Sequence, residues 1–250
     1  MRIAIITGAS SGIGKSYVNQ LVASGETYDA IWVIARRIEK LQEMKSLSDK
    51  IVPVQCDLGA GISEITDKLK AEKPVVGLLI NNAGMGRKGY IADRPSSDFV
   101  NTIDLNCTAL TELTCEVLPY MERGSRILNV GSTAAFLPQP KFAVYAASKS
   151  YVVSFTRALA SELKSKGIKA TVACPGPIDT EFNGLATDGK STEFTGFRKL
   201  VAANADKFAA ASLKASAKGR VFFIYGFSQK CLHVFSKIVP TGLILRLIYR

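Results

Sequence analysis

Thr7-Gly8-Ala9-Ser10-Ser11-Gly12-Ile13-Gly14 follows directly on the apolar run Ile3-Ala4-Ile5-Ile6, and a helical pattern begins inside its glycines. A buried strand that turns through glycines into a helix is the setting in which such a turn means dinucleotide binding. Glycines let the backbone bend sharply and approach a pyrophosphate, while the free N–H groups and positive end of the following helix offset its charge. The spacing is GxxxGxG and not the commoner GxGxxG, and a lone glycine cluster also serves purely structural turns.

Outward from this turn the chain alternates short Val/Ile-rich runs with segments of helical period, the pattern of a mainly parallel sheet covered by helices. Strands are predicted at 2–6, 31–35, 51–56, 75–80, 126–131, 168–173 and 220–224, and helices at 12–24, 37–47, 62–72, 97–122 (one or two pieces), 143–166 and 200–217. The expected fold class is α/β, a doubly wound seven-stranded sheet with helices on both faces. A chain of 250 residues favours one large core over two small ones. We therefore expect a single domain over 1–225 and a separate extension over 226–250.

Composition narrows the class. At 47% hydrophobic and 21% charged residues, disorder, collagen and coiled coil are excluded. No apolar stretch reaches the length of a membrane-spanning helix, and a strand beginning two residues after the start predicts no signal peptide. Cys56, Cys107, Cys115, Cys174 and Cys231 are odd in number and lack metal-ligand spacing, with His233 as the lone histidine, which predicts reduced thiols, a cytoplasmic location and no structural metal. Of the net +11, residues 207–250 carry +8, with eight Lys or Arg and no acid. Those cations are interleaved with Leu, Ile and Val and belong to no nucleic-acid motif, so no nucleic-acid partner is expected.

Three further segments join the glycine turn. Asn81-Asn82-Ala83-Gly84 ends the fourth predicted strand, Tyr145-Ala146-Ala147-Ser148-Lys149 opens a long helix, and Ser132 stands 13 residues before Tyr145. With TGxxxGxG, NNAG, Ser and YxxxK in this order, the chain resembles the short-chain dehydrogenase/reductase family over about residues 1–180, the last part through Pro175-Gly176-Pro177-Ile178-Asp179-Thr180. The resemblance implies a Rossmann-type fold, a homo-oligomer, and hydride transfer between a nicotinamide and a carbonyl carbon. It also assigns catalytic positions to Asn106, Ser132, Tyr145 and Lys149, and gives 181–199 the place of the variable substrate lid.

The chemistry of those residues agrees with the assignment. Residues four apart share a helix face, so Lys149 reaches the pocket of Tyr145. A nearby ammonium is expected to lower the phenol pKa from about 10 and make Tyr145 a usable acid/base. A serine hydroxyl stabilises charge developing on a substrate oxygen. Taken singly, Ser132 also reads as a cap, Asn106 as a helix start and Tyr145 as a core aromatic.

Cofactor choice is read at the end of the second strand, where NAD enzymes place an acid. Here the sequence is Ile34-Ala35-Arg36-Arg37, two guanidinium groups that suit the 2′-phosphate of NADP(H), with Arg36 favoured and Arg37 also able to start the next helix. The resemblance adds Gly8, Ser10, Ser11, Gly12, Ile13 and Gly14 at the phosphates. It puts Asp57 beside the adenine, Asn82, Ala83 and Gly84 along the nucleotide, Tyr145 and Lys149 at the nicotinamide end, and Pro175, Ile178 and Thr180 near the carboxamide.

Phe182, Leu185, Phe194 and Phe197 form either an apolar pocket wall or the core of a small lid helix, and Arg87 and Lys88 either meet an acidic substrate group or lie in a solvated loop. The leading expectation is an NADP(H)-dependent interconversion of ketone and secondary alcohol on a bulky apolar, steroid-like or acyl-chain substrate. The alternatives are a reductase of small polar carbonyls or sugars and a non-catalytic NADP-binding regulator. Residues 226–250, apolar and basic around Pro240, read as two short amphipathic helices meeting an anionic membrane, a second subunit or their own domain.

Overall fold

The computed structural model describes residues 1–25, 27–189 and 203–248, with side chains through Arg246. Within the predicted lid, 190–199 and hence Phe194 and Phe197 lie outside the described residues, as do Tyr249 and Arg250.

Seven parallel strands form one sheet in the order β3-β2-β1-β4-β5-β6-β7. They are β1 (Arg2–Thr7), β2 (Ala30–Ala35), β3 (Ile51–Gln55), β4 (Val75–Asn81), β5 (Arg126–Val130), β6 (Lys169–Cys174) and β7 (Phe222–Ile224). Helices α1 (Gly12–Ala23), α2 (Ile38–Glu43), α3 (Ser63–Glu72), α4 (Ser96–Ile103), α5 (Ala109–Val117) and α6 (Ala143–Glu162) connect the first six strands. After β6 come α7 (Glu181–Ala186) and α8 (Ala205–Ala217), and after β7 come α9 (Phe227–Ile238) and α10 (Thr241–Ile248).

Side chains alternate across the strands and feed two cores. Ala4 and Ile6 join Tyr17, Val18, Leu41 and Phe208 on one face, whereas Ile3 and Ile5 join Ile65, Leu69, Leu113 and Leu159 on the other. Tyr17 seals the first face with a 2.8 Å hydrogen bond to Ser212, linking α1 to α8.

The chain builds β1-β2-β3 in one direction and then crosses back to lay β4 on the other side of β1. Between the C-terminal ends of β1 and β4 the two halves diverge and leave a crevice, the place where such sheets take ligands. The glycine turn and NNAG sit on its two lips.

Several boundaries differ from the sequence expectation, among them the helix predicted at 143–166, which ends at Glu162, and the helix predicted at 200–217, which begins at Ala205. The 97–122 helix is broken by a π-helical turn at Asp104–Thr108, the segment predicted to be helical to residue 47 finishes as a 3-10 turn, and the last strand shrinks to Phe222–Ile224. No helix among the described residues is long and apolar enough to cross a membrane.

Candidate active site

Gly8 and Gly12 take positive φ of 64° and 51°, and a Cβ on Gly14 would stand 2.0 Å from the Gly8 carbonyl oxygen. Only glycine permits the α1 start to come so close to β1. The turn is stitched to NNAG by Thr7, whose Oγ1 accepts from the backbone N–H of Asn82 and Ala83, each at 3.0 Å, while Asn82 Nδ2 donates to the Thr7 carbonyl at 2.9 Å. Ser10, Ser11 and Ile13 complete this turn at the first residues of α1. Gly8, Gly12 and Gly14 thus form a cradle that any side chain would fill, as a pyrophosphate requires.

A buried polar chain sets the other lip. Asn81 Nδ2 donates to Thr114 Oγ1 at 3.0 Å and to Asn129 Oδ1 at 2.9 Å, and Asn129 Nδ2 donates to Thr156 Oγ1 at 2.8 Å. The ends of β4 and β5 are thereby locked to α5 and α6, so Gly84 and Ser132 stand at fixed depth. The sequence reading missed Thr114, Asn129 and Thr156; side chains on four separate elements converge only in the fold.

The π turn points Asn106 inward, where it is 1% exposed. Its Oδ1 accepts from Met85 N at 2.9 Å, and its Nδ2 donates to Met85 O at 2.8 Å and to Ser148 Oγ at 2.9 Å. Both amide protons are used, so Asn106 clamps the turn after NNAG to α6. A Cβ on Gly84 would lie 3.1 Å from Asn106 Oδ1 and 3.3 Å from Lys149 Nζ, which measures how closely the three converge.

Lys149 is buried and donates to the Val130 carbonyl at 2.9 Å; burial pulls its pKa down to about 8. Burial pushes the Tyr145 phenol up to about 12, against the lowering effect of the nearby Ser132 hydroxyl. The expected lowering of the phenol pKa by Lys149 is therefore corrected: the ammonium lies 5.8 Å from the Tyr145 ring centroid, and desolvation outweighs it. Ser132 also caps the 3-10 turn Thr133–Phe136 by accepting from Ala134 N at 3.1 Å, as its reading as a cap expects.

Phe142 stacks on Tyr145 at 4.4 Å between ring centroids, and Phe182 flanks it at 5.4 Å. Phe182 faces the site, whereas Leu185 is exposed. Of the two cations after NNAG, Arg87 pairs with Asp188 at 3.1 Å, while Lys88 N donates to Ala186 O at 3.0 Å, tying α7 to this turn, and Lys88 Nζ lies 5.7 Å from the Phe142 ring.

At the β2 end, Arg36 is exposed with no side-chain ion pair among the described residues, and its carbonyl accepts from Gln55 Nε2 at 3.0 Å. Arg37 sits at the start of α2 and also turns its guanidinium toward the glycine turn, donating to Ser10 Oγ at 3.2 Å. Asp57 closes the loop after β3 by accepting from Gly59 N at 3.2 Å, beside the β2 end. Across the crevice, Pro175 O accepts from Thr133 N at 2.9 Å, Ile178 is buried, and Thr180 packs over Gly12, 3.2 Å from where its Cβ would be.

The comparisons with known proteins agree with this fold. A family model described as short chain dehydrogenase matches residues 2–191. The 2,3-dihydro-2,3-dihydroxybenzoate dehydrogenase of Bacillus subtilis (strain 168) is 31% identical over 185 residues, 72% of this chain and 71% of that one. The 17-beta-hydroxysteroid dehydrogenase type 3 of Mus musculus is 35% identical over 188 residues, 71% of this chain and 60% of its own length. A solved short-chain dehydrogenase from Sphingobium yanoikuyae in complex with NADPH superposes with a TM-score of 0.79 at 26% identity, over 100% of this chain and 97% of that one. The chain belongs to the short-chain dehydrogenase/reductase family of oxidoreductases.

Proposed function

We propose that the chain uses NADP(H) to interconvert a ketone and a secondary alcohol on a bulky apolar molecule, with Tyr145 as the acid/base. The observation that carries this reading is Tyr145, its ring held between Phe142 and Phe182 and 5.8 Å from the buried Lys149 ammonium, with Ser132 close by, on the lip opposite the glycine cradle. Bound NADPH supplies the hydride, and the protein orients and protonates.

With a pKa of about 12, Tyr145 rests as the neutral phenol at pH 7, the form that donates a proton during reduction. A developing alkoxide is more basic than a phenolate, so the proton moves downhill to the substrate oxygen. Ser132 holds that oxygen, and the ammonium of Lys149 offsets the charge left on Tyr145. Asn106 acts by position, keeping the turn after NNAG against α6. Gly8, Ser10, Ser11, Gly12, Ile13 and Gly14 take the pyrophosphate, and Asn82, Ala83 and Gly84 line the nucleotide. Asp57 would stand by the adenine, Pro175, Ile178 and Thr180 by the carboxamide, and Arg36 and Arg37 would hold the 2′-phosphate.

Phe142 and Phe182 beside Tyr145 support an apolar substrate, and the similarity to a mouse 17-beta-hydroxysteroid dehydrogenase supports the same class. We assign α9 and α10 to an anionic membrane face on a cytoplasmic protein. The inner side of α9 packs on the domain through Gln229 and His233, and Ile244 of α10 is buried, whereas Phe227 and Ile238 are 81% and 74% exposed next to Lys230 and Lys237.

A ketone panel followed by NADPH fluorescence tests the reading. Consumption with bulky apolar ketones, and NADPH bound about tenfold or more tighter than NADH, are expected. Turnover confined to small polar carbonyls, or equal binding of the two cofactors, contradicts it.

A further inference from the structure

Two cations beside the glycine turn are already engaged by an anion of the chain itself. Glu181, the first residue of α7, accepts from Arg37 Nη2 at 2.9 Å and from Lys40 Nζ at 3.1 Å. The same Arg37 nitrogen reaches Ser10 Oγ at 3.2 Å, so this carboxylate lies beside the glycine turn. The cations hold the Glu181 carboxyl below its ordinary range, and it is ionised at neutral pH. Around the cluster opens a cavity of about 440 Å³ whose lining includes Ser10, Gly12, Lys15, Lys40 and Glu181.

We infer that Glu181 and Lys40 are cofactor-selectivity residues: the Glu181 carboxylate holds the position between Arg37 and Lys40 that the 2′-phosphate of NADP(H) takes on binding, and Lys40 is a second cation of that phosphate site. The inference rests on the NADP(H) reading above.

The electrostatics favour exchange over blockade. All three side chains are 40–49% exposed, and ion pairs so open to water are individually weak. A phosphate brings up to two negative charges and several acceptor oxygens to cations that a carboxylate meets with one charge, so the phosphate displaces Glu181. NADH carries nothing to put in its place and leaves both pairs intact. The far end of α7 stays anchored, because Asp188 pairs with Arg94 at 2.7 Å and with Arg87 at 3.1 Å. Displacement therefore frees only the first turn of α7, and its second residue is Phe182, the ring beside Tyr145. The charge at the 2′ end of the cofactor is thus coupled to the apolar wall at the proton donor.

Fluorescence titration of the whole chain with NADPH and with NADH, at low salt, tests this. Glu181→Gln is expected to tighten NADPH about fivefold while NADH stays within about twofold, the scale of exposed ion pairs. Glu181→Asp, which keeps the charge, should leave both affinities near those of the unmodified protein. Lys40→Met should weaken NADPH about fivefold and spare NADH. A Glu181→Gln protein with unchanged NADPH affinity, or with both cofactors shifted alike, overturns the inference; the NADP(H) reading survives as long as the unmodified protein prefers NADPH. Equal affinities in the unmodified protein overturn both.

Discussion

Lys149 is a charged group held where charge is costly. Its ammonium is buried, satisfied by the Val130 carbonyl, and titrates near pH 8 instead of 10.5. Between those two pH values the unfolded chain binds more protons than the folded one, so the lysine's contribution to unfolding free energy rises with pH across that window. Lys149→Met should remove that slope, and denaturant unfolding at pH 7.5, 9 and 10.5 measures it: the gap between variant and unmodified protein is expected to move in favour of the unmodified protein as pH rises. A gap that stays constant contradicts the burial account. At this scale the motif residues Ser132, Tyr145, Lys149 and Asn106 were legible, since each occupies a fixed place in a recurring pattern. The direction of the Tyr145 shift was not, because it depends on how much water the fold removes from the phenol, and spacing along a helix carries only the charge term. Arg36 and Arg37 were legible as a pair, but which guanidinium turns to Ser10 follows from where α2 starts.

Among the elements, those with strong periodicity appeared where the pattern put them, and the irregular ones did not. The π turn Asp104–Thr108 inserts one residue's worth of rotation between α4 and α5 and swings Asn106 inward; no residue type announces such a turn, although π turns gather at functional sites. The first turn of α7 was read for its aromatic residues, and Glu181 went unnoticed because its partners Arg37 and Lys40 lie more than 140 residues away. In α9 and α10 the amphipathic pattern was legible, and the fold divides it: Gln229, His233 and Ile244 turn inward, while Phe227, Val234, Phe235, Ile238 and Leu243 remain exposed. A basic apolar face of this kind gains about 1 kcal/mol for each cation brought near anionic lipid. Co-sedimentation with phosphatidylserine vesicles at low salt should carry the full chain into the pellet, release it at high salt, and leave a chain ending near Gly226 in the supernatant. A folded full chain that stays in the supernatant with vesicles at low salt contradicts the membrane assignment.

At the scale of the whole molecule, the site exists because the order of strand addition reverses between β1 and β4 and opens a crevice that no single element contains. One lip is the glycine cradle, tied across to NNAG through Thr7, and the other runs from NNAG to the end of β5 and the start of α6, held by Asn81, Asn129 and Thr156. The alternation of strand and helix made this topology readable in advance, because parallel strands joined by helices admit few arrangements. The depth of the two lips was not readable, since it is set by buried polar contacts between elements far apart in sequence. The central claim is that Tyr145 protonates the substrate oxygen during NADPH-driven reduction. The most direct test is single-turnover reduction of a ketone identified in the panel, comparing Tyr145→Phe with the unmodified protein at saturating NADPH. The account predicts that the variant binds NADPH with unchanged affinity and loses at least about a hundredfold in rate, the scale of a positioned general acid. A variant that binds NADPH normally and reduces the ketone at close to the unmodified rate would contradict it.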